Sequence, residues 1–207
     1  MNNNLILLVL LSGCCLARLP VRAQSPWELK KDEDSIFIYT REASDSKFNE
    51  LKVNMEVHGT LEQLRSILLD VDHYKDWVYA SKSSNLVEKK GDGELTYYSE
   101  VTAPWPLENR DFYSRIKARL DSLGKKLFVS SCNLAGKYKD KDHLVRVPFL
   151  RAEWVATLIG ASRIRIEYIL DWNPGGSIPA WIANMFVTKG PYKSFTLLQK
   201  KMASLNH

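Results

Sequence analysis

APWPLENRDF, from Ala103 to Phe112, separates two stretches of alternating hydrophobicity. Before it, Leu95, Tyr97, Ser99, Val101 and Ala103 share one face, with Thr96, Tyr98, Glu100 and Thr102 on the other. After it, Phe112, Ser114, Ile116, Ala118 and Leu120 face inward, while Asp111, Tyr113, Arg115, Lys117 and Arg119 face outward. A period of two marks half-buried antiparallel strands, predicted here over 94–103 and 110–121. Pro104 and Pro106 have no amide proton to give to a ladder, so the chain leaves the sheet between them.

Outward from this bend, strands are predicted at 36–41, 49–58, 85–90, 125–134, 143–148, 151–159 and 163–172. In the second of these, Leu51, Val53, Met55 and Val57 share one face; in the last, Ile164, Ile166, Tyr168, Leu170 and Trp172 do. Gly91-Asp92-Gly93 suits a tight hairpin. Ser25 and Pro26 open a predicted short helix over 27–31. Thr60 and Gln63 have the spacing of a capping box, ahead of Leu61, Leu64, Leu68 and Val71 at helical spacing. A further short helix over 72–78 would lay Trp77 against the sheet. From about Ser177 one long helix carries Ile178, Trp181, Ile182, Met185 and Phe186 on one face; Gly190-Pro191 interrupts it, and Phe195, Leu198, Met202 and Leu205 resume the pattern. Without repeats or an internal linker, the expectation is a single α+β domain.

The segment around Ala103 resembles the PWPL–x–x–RDF signature of START domains, the steroidogenic-acute-regulatory-protein-related lipid-transfer family, in particular its bacterial members. A second stretch, GGSIPAWIANMFVTKGPYKSF over 175–195, is similar to that family's entry into its long last helix. Together the resemblance covers about Trp27 to Met202. It implies a helix-grip fold, a curved antiparallel sheet wrapped around a long C-terminal helix, with a cavity for a lipid or other hydrophobic molecule.

The 207 residues fit one domain with a substantial core. Leu5 to Leu11 is an apolar run too short to span a bilayer and reads as the core of a secretory signal, although MNNN before it carries no basic residue. Two endings compete. Val21-Arg22-Ala23 before Gln24 suits signal-peptidase cleavage, whereas Leu11-Ser12-Gly13-Cys14 resembles a lipobox that would anchor the chain at Cys14. Cleavage after Ala23 is favoured, giving a 1–23 signal and a 24–207 domain exported to the periplasm or medium. The formal charge then falls from +5 to +3 with the loss of Arg18 and Arg22. That is too small and dispersed for a nucleic-acid partner. The paired lysines (Lys89-Lys90, Lys125-Lys126, then Lys137, Lys139 and Lys141) read as solvated loop charge, or as weak attraction to a membrane surface. Cys132 reads as a small buried residue, the chain as a monomer, and no cofactor or metal pattern emerges.

Inward strand positions mix small residues (Ser99, Ser114, Ala118, Ala152, Ala156) with large ones, which suits either close helix packing or open volume. If a cavity exists, the candidates for its wall are Tyr97, Trp105, Arg110, Phe112, Trp154, Tyr168, Trp181 and Met185. Arg110 either ties the bend to backbone carbonyls or meets a carboxylate or phosphate head group. Trp105 either plugs a strand corner or touches cargo; Trp181, Met185 and Phe186 are core or cavity wall. A catalyst needs a base at the cavity, yet His58, His73, His143 and His207 fall on no clean inward position. Asp70, Asp72 and His73 are explained better as a polar helix end than as metal ligands. Three functions remain: a non-catalytic carrier of a lipid or hydrophobe, an enzyme like the polyketide cyclases and aromatases of related helix-grip proteins, and an envelope interaction protein with a filled core.

Overall fold

The computed structural model describes residues 24–205; the signal and lipobox readings, with Cys14, lie outside them. Thirteen segments form along the chain: β1 (Glu28–Glu33), β2 (Ile36–Glu42), β3 (Asn49–His58), α1 (Leu61–Leu69), a 3-10 turn (Val71–Asp76), β4 (Ser81–Lys90), β5 (Glu94–Val101), β6 (Arg110–Leu120), β7 (Lys126–Asn133), β8 (Val145–Arg146), β9 (Phe149–Gly160), β10 (Arg163–Asn173) and α2 (Ala180–Ser204). All strands join one curved sheet in the order β1-β2-β3-β10-β9-β7-β6-β5-β4, with β8 beside β6. Every pairing is antiparallel except that of β8. The helix-grip expectation holds: α2 lies in the concave face.

The predicted helix at 27–31 is instead strand β1. Asp34 and Ser35 both take positive φ, 53° and 61°, the requirement of a two-residue hairpin whose twist matches the strands. A five-residue helix fixes its dihedrals for about one hydrogen bond, and pairing with the buried strand β2 outweighs it. Trp27 lies beneath Arg41 and Lys52, whose cationic groups are 4.2 and 4.8 Å from its ring. The capping box forms as read: Thr60 Oγ1 accepts from Gln63 N at 3.1 Å, and Thr60 N donates to Gln63 Oε1 at 2.7 Å. At the β4–β5 hairpin, a side chain on Gly93 would put a Cβ 2.6 Å from the Ala118 carbonyl oxygen, so that position needs glycine for space.

The inward faces of β2, β3, β7, β9 and β10 meet α1 and the second half of α2 in one core that includes Ile38, Leu51, Leu64, Ile166, Leu198 and Met202. Three readings change on the outer face. Asp111 and Tyr113 do point away from the concavity, but the 134–147 segment covers them. Asp111 is 0% exposed and takes two hydrogen bonds from the Arg146 guanidinium, at 2.8 and 3.1 Å; Tyr138 stacks on Tyr113 at 3.8 Å. The strand expected over 143–148 shrinks to Val145–Arg146, because Arg146 also donates to the carbonyls of Tyr138 and Lys139 and folds the rest into a strap. Cys132 is exposed, since Leu127, Val129 and Ser131 take the inward positions of β7. At the C-terminus, α2 starts at Ala180 behind Pro179 rather than near Ser177, and runs through Pro191 as one helix.

Removing one partner of a buried ion pair strands the other charge. The Asp111→Ala variant is therefore expected to lose about 3–5 kcal/mol of stability in urea unfolding. A loss below about 1 kcal/mol, the range of exposed pairs, would show that the strap is held by its backbone contacts alone.

Candidate functional site

Between the concave sheet and the first half of α2 lies a cavity of about 300 Å³. Residues at alternate positions of β5, β6, β9 and β10 supply its walls, among them Tyr97, Phe112, Ala152, Trp154 and Tyr168. Tyr74 and Trp77 close the side below the 3-10 turn, and Val187, Gly190, Pro191 and Ser194 form the α2 roof. The small residues Ser99, Ser131 and Ala152 leave the room that larger neighbours would fill. A Cβ on Gly190 would sit 3.3 Å from the Tyr79 ring, close enough that the ring would have to shift slightly to admit it. The cavity wall contains no Asp, Glu, Lys, Arg, His or Cys among the described residues. A larger hollow, about 500 Å³, opens to solvent around Glu56, Arg163 and Arg165, whose charges are exposed and paired with one another.

Aromatic rings hold the wall rigid. Trp154 lies 4.5 Å from Tyr168 and 5.2 Å from Phe195, while Tyr97 meets Tyr74 and Phe112 edge-on at 5.4 and 6.0 Å. Offset and edge-on pairs of this kind are favoured by the ring quadrupole. Few polar atoms interrupt them. Tyr74 donates its hydroxyl to the Leu68 carbonyl at 2.6 Å, and Ser194 Oγ accepts from Tyr79 N and donates to the Gly190 carbonyl. Ser114, the cross-strand partner of Tyr97, has its Oγ 2.8 Å from Ser131 Oγ. Burial pushes the Tyr97 and Tyr168 hydroxyls above the usual phenol range; for Tyr168 the neighbouring Tyr97 adds to it. Neither group ionises near neutral pH.

Of the eight candidate wall residues, Tyr97, Phe112, Trp154 and Tyr168 are brought together in the cavity. Trp105 and Trp181 are not: they stand 93% and 68% exposed, because their backbones leave the sheet and enter α2 on the solvent side. Leu107, from the Trp105 loop, takes the inner place instead and packs with Phe48, Ile178 and Ala183. Arg110 is 9% exposed and shares the inward face of β6, but it lies outside the cavity wall. Its Nη1 donates to the Glu108 carbonyl, its Nη2 lies beside Gly176, and desolvation lowers its pKa. Nη1 thus ties the side chain to the bend, while Nε is buried without a hydrogen-bond partner. The side chains of Met185 and Phe186 lie outside the described residues. Sequence reasoning missed Tyr74, Trp172, Ser131 and Phe195 as wall residues. Trp172 had a usable signal, its alternation with Tyr168 and Leu170, whereas Tyr74 reaches the cavity only through the 3-10 turn.

His58, His73 and His143 stay outside the wall. His73 Nδ1 meets Asp70 Oδ1 at 2.7 Å on the surface, which raises its pKa through that hydrogen bond, and Asp72 accepts from Leu86 N at 2.8 Å. These contacts account for the polar helix end, and no metal-binding group occurs among the described residues.

No family profile matches the chain. Among individual proteins, rat phosphatidylcholine transfer protein is 29% identical over 186 residues, covering 86% of this chain and 84% of that protein. An uncharacterized protein of Pseudomonas aeruginosa is 27% identical over 165 residues, 80% of this chain and 81% of its own length. The crystal structure of a STAR-related lipid transfer protein fragment from Xanthomonas axonopodis superposes with a TM-score of 0.78 at 25% identity, covering 86% of this chain and 98% of the fragment. With the PWPL–x–x–RDF bend, the last-helix motif and the roofed concave cavity all in one chain, the protein is similar in sequence and fold to START-domain lipid transfer proteins.

Proposed function

We propose that this protein binds a lipid or other hydrophobic small molecule in the cavity under α2 and carries it without chemical change. The observation that bears most weight is the uncharged, largely aromatic wall around about 300 Å³ of volume. Each methylene moved from water into such a space contributes about 0.8 kcal/mol, so a chain of ten supplies roughly 8 kcal/mol before ordering costs. The names of the relatives, lipid transfer proteins, support the same reading. A cyclase-like enzyme would need a base against the substrate; among the described residues the wall's titratable groups are tyrosines, and burial keeps Tyr97 and Tyr168 neutral. A filled interior, the third reading, has the cavity against it.

Cargo must enter from and leave to another apolar phase. Trp105 and Trp181 offer exposed indoles, a side chain suited to the boundary between water and lipid. Leu107 and Ile182, near each of them, meet in one small cluster with Phe48, so the two tryptophans belong to one end of the molecule. That end is the proposed face for transient membrane contact, the protein acting as a monomer outside the cytoplasm.

Native mass spectrometry of the purified protein, with extraction of what it carries, is expected to show one hydrophobe per chain. Ala152→Trp, which fills the cavity from β9, should cut retention at least about tenfold while circular dichroism stays unchanged; Ala152→Leu gives a milder block should the larger ring disturb folding. Retention unchanged in both variants would place the cargo elsewhere.

Trp105→Ser combined with Trp181→Ser is expected to slow transfer between vesicles several-fold without lowering the cargo carried per chain. Equal transfer rates would remove this face from the pathway.

Intact mass of the protein exported by a bacterial host is expected to start at Gln24. A diacylated N-terminal Cys14 would establish the anchored form instead.

A further inference from the structure

Building on the carrier reading, we infer that the cargo is an uncharged, single-chain or compact hydrophobe whose terminal oxygen is received by the hydroxyls of Tyr97, Tyr168 and Ser131, and that a two-chain phospholipid is excluded. Three observations converge on this. The first is size: about 300 Å³ lies at the lower end of the roughly 300–1,000 Å³ that small-molecule sites occupy. One acyl chain or one fused-ring body suits it, and a second chain with a phosphate head group does not.

The second is charge. A buried ion costs several kcal/mol unless it is paired, and no cationic or anionic side chain lines the cavity among the described residues. Arg110, a buried cation on β6, donates from Nη1 to the Glu108 carbonyl and stays outside the wall. A carboxylate or phosphodiester drawn into this space would therefore have no counter-charge.

The third is where the polar atoms gather. Tyr97 pairs across the ladder with Ser114, Ser114 Oγ touches Ser131 Oγ at 2.8 Å, and Tyr97, Ser131 and Tyr168 share the cavity wall. Tyr74, Ser99 and Ser194 have spent their hydroxyl protons on backbone carbonyls. Tyr168, by contrast, is held by ring contacts with Trp154 and Phe195, at 4.5 and 5.3 Å. Its hydroxyl is a donor and acceptor in the same wall as Tyr97 and Ser131, whereas the unpaired indole N–H groups of Trp77 and Trp172 in that wall can only donate. Such a group orients a ligand that ends in a hydroxyl, a carbonyl or an ester, and burial keeps both phenols neutral across the physiological range.

The test presents the delipidated protein with four probes under native mass spectrometry: 1-monooleoylglycerol, oleate at pH 8, 1-octadecene, and dioleoyl-phosphatidylcholine vesicles. The expected order is tightest binding of monooleoylglycerol at one per chain, oleate about tenfold weaker or worse, and no extraction of the phospholipid. Tyr168→Phe removes one oxygen and keeps the ring; it should weaken monooleoylglycerol about tenfold and leave octadecene unchanged. Ser131→Ala should act in the same direction. Stoichiometric phosphatidylcholine, or oleate bound more tightly than the glyceride, would overturn the inference while leaving the carrier reading in place. Equal weakening of octadecene in Tyr168→Phe would reduce that residue to packing and overturn the hydroxyl assignment. Binding of none of the four would refute both readings.

Discussion

The second half of α2 is pressed into the sheet, and the rest of the architecture depends on that contact. Phe195, Leu198 and Met202 are buried in the same core as Ile36, Ile38, Met55 and Ile166, each large side chain contributing about 1.5–3 kcal/mol. The first half of the helix is in a different position. Val187, Gly190, Pro191 and Ser194 roof a space they do not fill. The helix can bridge this gap because its far half is anchored and its middle is pinned from the sides. Tyr192 donates to Asp34 at 2.7 Å, Lys31 sits 4.1 Å over the Tyr192 ring, and Tyr79 N donates to Ser194 Oγ. Pro191, which removes one amide proton from the ladder, falls where the helix passes from anchored to roofing.

The pinning also gives meaning to β1. Strand β1 carries no buried side chain of its own, and Leu29 is exposed. Its hairpin delivers Lys31 and Asp34 to the middle of α2, so a strand that adds little to the core steadies the roof. Local propensity alone reads this segment as a helix, because Ser25-Pro26 and ELKK are good helix-opening residues. The pairing with β2 and the positive φ values at Asp34 and Ser35 decide otherwise.

Most of the sheet was legible because burial on one face imposes a period of two. Leu51 to Val57 and Ile164 to Trp172 show it plainly, and the capping box at Thr60 fixed the start of α1. The strap over Asp111 was not legible. Alternation shows that Asp111 faces away from the concavity, but a charged residue there looks solvated until Arg146, 35 positions later, arrives over it. The site was legible by halves for the same reason. Tyr97, Phe112, Trp154 and Tyr168 lie on strands, where sequence parity is side-chain direction; Trp105 and Trp181 lie in a bend and in a helix entry, where parity says nothing.

A void of this size has thermodynamic consequences whether or not cargo is present. Side chains that face unfilled space lose the contacts they would make in a filled core, so an empty site costs stability. Water relieves little of it, since most of the wall is aromatic or aliphatic and the hydroxyls are confined to a few points. An apolar occupant restores the missing contacts and binds the folded state alone, so stability and loading are linked through the same free energy. The rigid ring contacts around Trp154 and Tyr97 then acquire a second role beyond lining. They keep the wall from collapsing into the space, and in doing so hold open a defect that a hydrophobic ligand repairs.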